Sequence, residues 1–221
     1  MNSAPRTTTL LGGLGLALVG VLELLPIALN WFPSAYDLQS VFSSAPAQGV
    51  HLVVLLATCV ILAFGVSREG GIVGSFRLGR VALLLVGLAF PIERFVSFGL
   101  FIGGVDGTEP GFVVGTVLQV LPIAAVSVAA VVVARVHVVE GFARWILIGC
   151  AAAQAFEFVF LFVLATVPNA AQSPDLAVLD SVTALPPLLL LAAGVGLAFY
   201  GRSGVVKQQL RAVYTQWRLT T

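Results

Sequence analysis

The sequence predicts an all-α membrane protein, a bundle of six transmembrane helices with both termini in the cytoplasm. Three observations predict it: an apolar composition, six long apolar runs, and basic residues confined to alternate loops. The 221-residue chain is 59% hydrophobic and only 10% charged, whereas a soluble domain typically has about 25% charged residues. So few charges do not cover a soluble surface of this size, and the remaining surface is expected to face lipid.

Six apolar runs are each long enough to cross a bilayer. A hydrocarbon core of about 30 Å requires about 20 apolar residues in a helix. The runs are continuous, whereas strands of a membrane barrel alternate over about 10 residues, so helices are favoured. A signal peptide is the alternative for the first run, but Glu23 interrupts it and no cleavage site of small residues follows. The predicted spans are 10–29, 50–66, 81–102, 112–134, 145–167 and 182–200.

Lysine and arginine lie on alternate sides of these spans. Cytoplasmic loops carry an excess of basic residues. All eleven basic residues except Arg94 lie before span one, between spans two and three, between spans four and five, or after span six. The charged residues of the opposite loops are all acidic. This distribution predicts that both termini are cytoplasmic, and it supports the count of six because one helix more or fewer would scramble it.

Residues 1–201 therefore form one six-helix transmembrane domain, and residues 202–221 form a cytoplasmic tail. The apolar residues of the tail recur at helical spacing, and its basic residues fall on the opposite face. This pattern predicts a short C-terminal amphipathic helix on the membrane surface. Its expected role is to anchor to anionic lipid, with binding of a partner protein as the alternative.

The outward-running spans each carry one glutamate near mid-depth: Glu23, Glu93 and Glu157. Arg80 precedes Glu93 by 13 residues, and Arg144 precedes Glu157 by 13. One interpretation is three repeated helical hairpins, related by an axis along the membrane normal. The other is that any hydrophobic helices align to this extent. The prediction of six spans does not depend on this choice.

Four charged residues lie within the predicted spans: Glu23, Glu93, Arg94 and Glu157. A charge at the bilayer centre costs about 2.5–3.5 kcal/mol on insertion scales, so these side chains are expected to face the bundle interior. Adjacent residues on a helix do not face each other, so Arg94 is expected to pair with Glu23 or Glu157 rather than Glu93. Three carboxylates and one guanidinium leave an excess of negative charge, which requires protonated glutamates, water or a cation.

Polar side chains near these charges complete a candidate intramembrane polar site. Gln154 lies one turn before Glu157, and Gln119 lies in span four with Pro122. The candidate site comprises Glu23, Glu93, Arg94, Gln119, Gln154 and Glu157. It is interpreted either as a structural polar core that fixes helix packing, or as a site for a proton, a cation or a small molecule.

The sequence predicts no cofactor, no metal site and no catalytic residue. Cys59 and Cys150 lie within apolar runs and are expected to be packing residues. His51 is expected in the interfacial belt with Trp31, and His137 lies on the opposite side, so the two histidines cannot share a metal ion. No phosphate-binding loop, catalytic triad, metalloprotease motif or nucleotide-binding fingerprint occurs.

One short segment resembles a known family. The string FPIERF at 90–95 resembles the Pro-x-Glu-Glu segment in membrane helices of carotenoid (lycopene) cyclases, and FEFVFLF at 156–162 resembles its aromatic trail. Arg94 takes the place of the second acidic residue. The resemblance implies an enzyme that acts on an isoprenoid.

Three functions remain open. The first, favoured by simplicity, is a small scaffold or accessory membrane subunit with a buried Glu/Arg polar core. The second is a small proton- or cation-coupled transporter that uses Glu93 and Glu157. The third is a membrane enzyme acting on an apolar lipid or isoprenoid, although a non-enzymatic role is favoured.

The expected partners follow from the same features. The chain is expected to contact the lipid bilayer, and assembly as a homo-oligomer or within a larger membrane complex is left open; no nucleic acid is expected. The composition, rich in alanine, valine, glycine and arginine and poor in lysine, indicates a prokaryotic protein. The predicted location is the plasma membrane.

Overall fold

The computed structural model describes the backbone of residues 6–32, 36–42, 44–66, 71–73, 76–102, 109–136, 142–166 and 176–220. Within these ranges it is helical and contains no strand. Side chains are described in the same ranges except at 6, 36, 91, 93–95, 97–102, 109–112, 136, 142–144, 165–166, 176–177 and 201–220.

The described residues form seven helices: α1 (Arg6–Asn30), α2 (Tyr36–Phe42), α3 (Ala45–Phe64), α4 (Arg77–Ile102), α5 (Glu109–Val136), α6 (Phe142–Thr166) and α7 (Leu176–Thr220). Five of these, α1, α3, α5, α6 and α7, are long and apolar enough to cross a membrane. The chain is therefore a multi-pass membrane protein. With 26 residues, α4 is about 39 Å long, but many of its side chains beyond Phe90 lie outside the described part, so the count of six spans stays a prediction.

The six long helices form a closed ring. Each contacts the next one along the chain, and α7 packs against α1 to close the ring. Gly12 of α1 lies against Leu62 of α3, and Gly15 lies against Thr58, so α1 and α3 are antiparallel. The start of α1 and the end of α3 therefore lie together at one end of the ring, which we call the basal end. The opposite end carries α2 and is called the α2 end.

Glycine brings α1 and α7 into backbone contact. A Cβ atom on Gly13 would lie 2.6 Å from the carbonyl oxygen of Gly194, and one on Gly20 would lie 2.8 Å from the carbonyl oxygen of Pro187. Real Cβ atoms do not approach so closely, so only glycine fits at these positions. Small residues are the usual means by which membrane helices pack closely. The same pairs show that α1 and α7 are antiparallel.

The chain turns back into the basal end directly after α3. Gly65 ends that helix with a φ of 83°, a left-handed conformation that favours glycine. The next residue, Val66, donates its backbone N–H to the hydroxyl oxygen of Thr8 at 2.9 Å. Thr8 is fully buried, so this bond ties the start of the loop to the start of α1.

Residues 71–73 close the basal end, and we call them the basal plug. Ile72 donates its N–H to the carbonyl oxygen of Leu62 at 2.9 Å. The side chains of Ile72 and Val73 are 1% and 0% exposed, and both belong to the largest hydrophobic cluster of the described residues. Gly71 allows this approach, because a Cβ atom there would collide with the backbone of Ala63. Among the described residues of the basal end, these apolar side chains fill the space between the helices beside the buried Thr8.

The last helix is longer than its predicted span. The sequence predicts a span at 182–200 and a separate tail at 202–221, whereas α7 runs as one helix of 45 residues. At 1.5 Å per residue it is about 68 Å long, far more than a bilayer core requires. The predicted amphipathic face of the tail falls on side chains outside the described residues.

Candidate intramembrane binding site

A cavity of about 630 Å³ lies inside the ring at its α2 end, and we call it the central cavity. Every one of the seven helices contributes to its wall. Its polar lining residues are Glu23, Gln48, His51, Gln119, Gln154, Glu157 and Thr183. The other lining residues are apolar, and three of them are the phenylalanines Phe42, Phe90 and Phe158.

Four of the six residues of the predicted polar site line this one cavity: Glu23, Gln119, Gln154 and Glu157. They come from α1, α5 and α6, so the fold brings together residues that are more than 130 positions apart in sequence. Glu93 and Arg94 lie in α4, and their side chains are outside the described residues. The predicted pairing of Arg94, and the central residues of the segment that resembles the cyclases, lie outside the described side chains for the same reason.

The two carboxylates lie well below the α2 end. Glu23 stands seven residues before the end of α1, which places it about 10 Å along the helix from that end. Glu157 stands nine residues before the end of α6, or about 14 Å from it. Both carboxyl groups line the central cavity, although α1 and α6 are not neighbours in the ring. The cavity therefore brings two carboxyl groups together between helices that are long and apolar enough to cross a membrane.

His51 is a member of the site that the sequence analysis did not select. Its Nε2 atom lies 3.3 Å from Oε1 of Glu23, with only 8% of the histidine side chain exposed. The prediction that His51 belongs to an interfacial belt is therefore wrong. The cause is the start of α3, which begins at Ala45 rather than at the predicted residue 50, so His51 lies more than one turn inside the helix. Trp31, in contrast, is 59% exposed.

Three buried polar atoms at the cavity have no hydrogen-bond partner among the described residues. They are Oε1 of Gln48, Nε2 of His51 and Oε1 of Gln154. The histidine atom is within ion-pair distance of Glu23 but is not directed for a hydrogen bond. An unsatisfied buried polar group costs about 1–3 kcal/mol, so native proteins rarely leave one without a protein, water or ligand partner. Three such atoms around one cavity indicate a site built to hold a polar occupant.

Prolines interrupt the hydrogen bonding of the helices around the cavity. Four of them line it: Pro26, Pro122, Pro186 and Pro187. A proline has no N–H to donate to the carbonyl oxygen four residues earlier. Leu22 stands four residues before Pro26 and Thr183 four before Pro187, and both also line the cavity. Freed backbone carbonyls of this kind help to bind ions in transporters with broken helices.

A smaller cavity of about 80 Å³ lies next to the central cavity on the basal side. Glu23, Phe90 and Gln154 line both cavities. The smaller cavity is otherwise lined by aliphatic residues and by the two cysteines, and Ile72 of the basal plug is among them. Both cysteines are buried and free. Glu23 and Gln154 therefore lie at the boundary between the central cavity and a smaller cavity with a mainly apolar lining.

The described residues hold no metal-binding cluster. No group of three or more His, Cys, Asp or Glu side chains in this part of the chain is arranged to hold a metal ion. Glu23, His51 and Glu157 line one cavity, but they do not form such a group.

The fold and the cavity define a class, the multi-pass helical membrane proteins with an internal polar chamber. Comparison with protein-family models, with curated proteins and with solved structures gives no match. Function is therefore argued from the site itself, since a fold alone does not determine it.

Proposed function

We propose that this protein is a small proton- or cation-coupled membrane transporter, and that the central cavity is its binding chamber. The observation that carries the proposal is that Glu23 and Glu157 line one cavity to which no lysine or arginine of the described side chains contributes. Ionisable residues inside membrane helices are rare and commonly mark the pathway of an ion or proton. Two carboxylates beside one imidazole give the chamber a preference for positive charge.

The scaffold hypothesis accounts for part of this arrangement. The contact between Glu23 and His51 joins α1 to α3, and a buried polar pair can fix helix packing without any transport role. A packing role does not require a chamber of about 630 Å³ beside that pair, because protein interiors are normally packed with few voids. The cavity therefore favours transport over scaffolding.

The proposal includes a topology of six crossings with both termini in the cytoplasm. The closed ring of six long helices supports it, as does the absence of lysine and arginine from the loops at the α2 end. In this orientation the basal plug faces the cytoplasm of a prokaryotic cell and the central cavity lies on the outer side of its plasma membrane. The closed basal end and the wide opposite chamber correspond to an outward-facing state of alternating access.

Three hairpins, α1–α3, α4–α5 and α6–α7, are the proposed repeats. In two of them the first helix carries a glutamate that lines the cavity, Glu23 in α1 and Glu157 in α6. Helices related by an axis along the membrane normal would place equivalent residues at equal depth around a common site.

Liposome flux measurements test the proposed function. The purified protein is reconstituted, and loss of an imposed pH gradient and uptake of radioactive sodium are followed. We expect at least one of these fluxes in wild type, and we expect Glu23→Gln and Glu157→Gln to reduce it to the level of protein-free liposomes. Glutamine keeps the side-chain size of glutamate, removes the charge and replaces one carboxylate oxygen with an NH2 group, so the melting temperature of each variant in detergent is measured beside its flux.

The matched control is Asp37→Asn, which makes the same chemical change at an exposed carboxylate of α2 outside the cavity lining. We expect this variant to transport like wild type. Wild-type liposomes that carry neither flux, together with Gln variants that unfold, would support the scaffold hypothesis and overturn transport.

A further inference from the structure

The chemistry of the central cavity narrows the class of substrate, if the proposed transport function holds. We propose that the chamber binds an organic cation, a nitrogen-based or comparable positive charge carried on a hydrophobic body. The charge would lie at the floor of the cavity beside Glu23 and Glu157, and the apolar body would extend toward the α2 end.

The polar lining contains several hydrogen-bond acceptors. Two carboxylates and the unpartnered amide oxygens of Gln48 and Gln154 are all acceptors. The hydroxyl of Thr183 already donates to the carbonyl oxygen of Leu179 at 3.1 Å. Such a lining matches an occupant with N–H donors or a positive charge, and it would repel an anion.

Aromatic rings add a second preference for a cation. Phe42, Phe90 and Phe158 line the cavity from α2, α4 and α6. The face of an aromatic ring attracts a cation, and the attraction is stronger in a site shielded from water. The same rings provide apolar surface for a hydrophobic body, which an inorganic ion does not need.

The size of the cavity separates an organic cation from a bare metal ion. Small-molecule sites in proteins usually measure about 300–1,000 Å³, and the central cavity at about 630 Å³ lies within that range. A metal ion instead needs several oxygen ligands at about 2.0–2.6 Å. The described residues contain no group of three or more His, Cys, Asp or Glu side chains that could hold a metal ion. The volume of the chamber therefore suits a small organic molecule.

The position of the polar groups sets the orientation of the occupant. Glu23 and Gln154 also line the smaller basal cavity, so they lie at the floor of the chamber. Phe42 and Ala47 come from the α2 end of the bundle and mark its mouth. The charged end of a molecule would lie beside the carboxyl groups at the floor, and its apolar body would extend toward the mouth.

Binding of two ions with the same shape and opposite charge tests the inference. The probes are tetraphenylphosphonium and tetraphenylborate, measured on the purified full-length protein in nanodiscs against empty nanodiscs. We expect saturable binding of the phosphonium and none of the borate. Glu157→Gln should weaken phosphonium binding about tenfold or more, because loss of one charge from a desolvated pair is costly. Phe158→Leu should weaken it about two- to fivefold.

Two further variants keep the result interpretable. Asp37→Asn should bind the phosphonium like wild type, and Glu157→Asp, which keeps the charge, should bind it better than Glu157→Gln. If Glu157→Gln fails to fold, two results still test the inference. One is the affinity of Glu157→Asp for the phosphonium compared with that of Phe158→Leu, and the other is the preference of the wild-type protein for the phosphonium over the borate. Equal saturable binding of both probes, or phosphonium binding that no cavity variant changes, would overturn it.

The failure of this inference is distinguishable from failure of the proposed function. A folded protein that carries proton or sodium flux but does not bind the phosphonium would refute the organic cation and leave transport standing. A protein with neither flux nor binding would refute both.

Discussion

Gly194→Ala should destabilise the protein by about 1–3 kcal/mol, although alanine normally favours a helix. A Cβ atom on Gly194 would collide with the backbone of Ala17 and lie 2.6 Å from the carbonyl oxygen of Gly13. Backbone atoms cannot move aside as a flexible side chain can, so α1 and α7 must separate. This contact closes the ring, and its loss should propagate to the cavity wall. Each kcal/mol corresponds to about 2–4 °C in melting temperature for a chain of this length.

Gly115→Ala is the matched control for that prediction. Gly115 lies in the second turn of α5, and a Cβ atom there would meet nothing within 4 Å. Alanine should therefore raise stability by up to about 1 kcal/mol through helix propensity alone. The two substitutions are chemically identical and have opposite expected signs. Equal melting temperatures for the two variants would mean that α1 and α7 are not in backbone contact.

Hydropathy predicts the existence of the helices better than their ends. Each predicted span except the last agrees with one helix to within a few residues, because apolar length is set by the bilayer. The first five long helices start three to five residues before the predicted spans, since helices continue into the polar interface where hydropathy falls. In α3 this difference of five residues at the start is what carries His51 from the expected interface into the cavity wall. The sequence shows that residue 51 is a histidine, but it does not show how deep in the bundle that side chain lies.

Charge inside apolar runs is the signal that led to the candidate site. Glu23 and Glu157 stand out because a buried carboxylate is costly, and the structure brings both to one cavity. Gln48 and His51 gave no such signal, since they fall at or before the predicted start of a span. The cavity itself could not be predicted, because it arises from the closure of the ring and from the shape of six helices together.

The sequence alone also does not show which glycines pack against a neighbouring helix. Many small residues stand four apart in this chain, and that spacing alone does not say which pairs meet. The contacts of α1 with α7 use Gly13, Gly20 and Gly194, which are not spaced four apart on either helix. Gly115 stands four residues after Gly111, yet a Cβ atom on Gly115 would meet no neighbour. Contact depends on the face that each helix turns to its neighbour, which only the assembled ring defines.

Ile72→Ala should cost about 2–5 kcal/mol of stability, the usual range for such a truncation in a packed core. Ile72 is 1% exposed and lies outside the helices, so helix propensity does not offset the loss. Its side chain packs in the hydrophobic cluster of the basal end and lines the smaller cavity. Truncation would enlarge that cavity and weaken the seal that residues 71–73 form.

The control for this prediction is Ile92→Ala in α4, where the isoleucine is 47% exposed and its removal should change stability by only about 0.5 kcal/mol. Thermal melting in one detergent compares the two variants directly. In the liposome assay, Ile72→Ala should also let protons or sodium leak without saturation, because the apolar barrier below Glu23 becomes thinner. An Ile72 variant that melts like the Ile92 variant and does not leak would mean that the basal plug neither stabilises nor seals the bundle, and that the barrier to ions lies elsewhere in the ring.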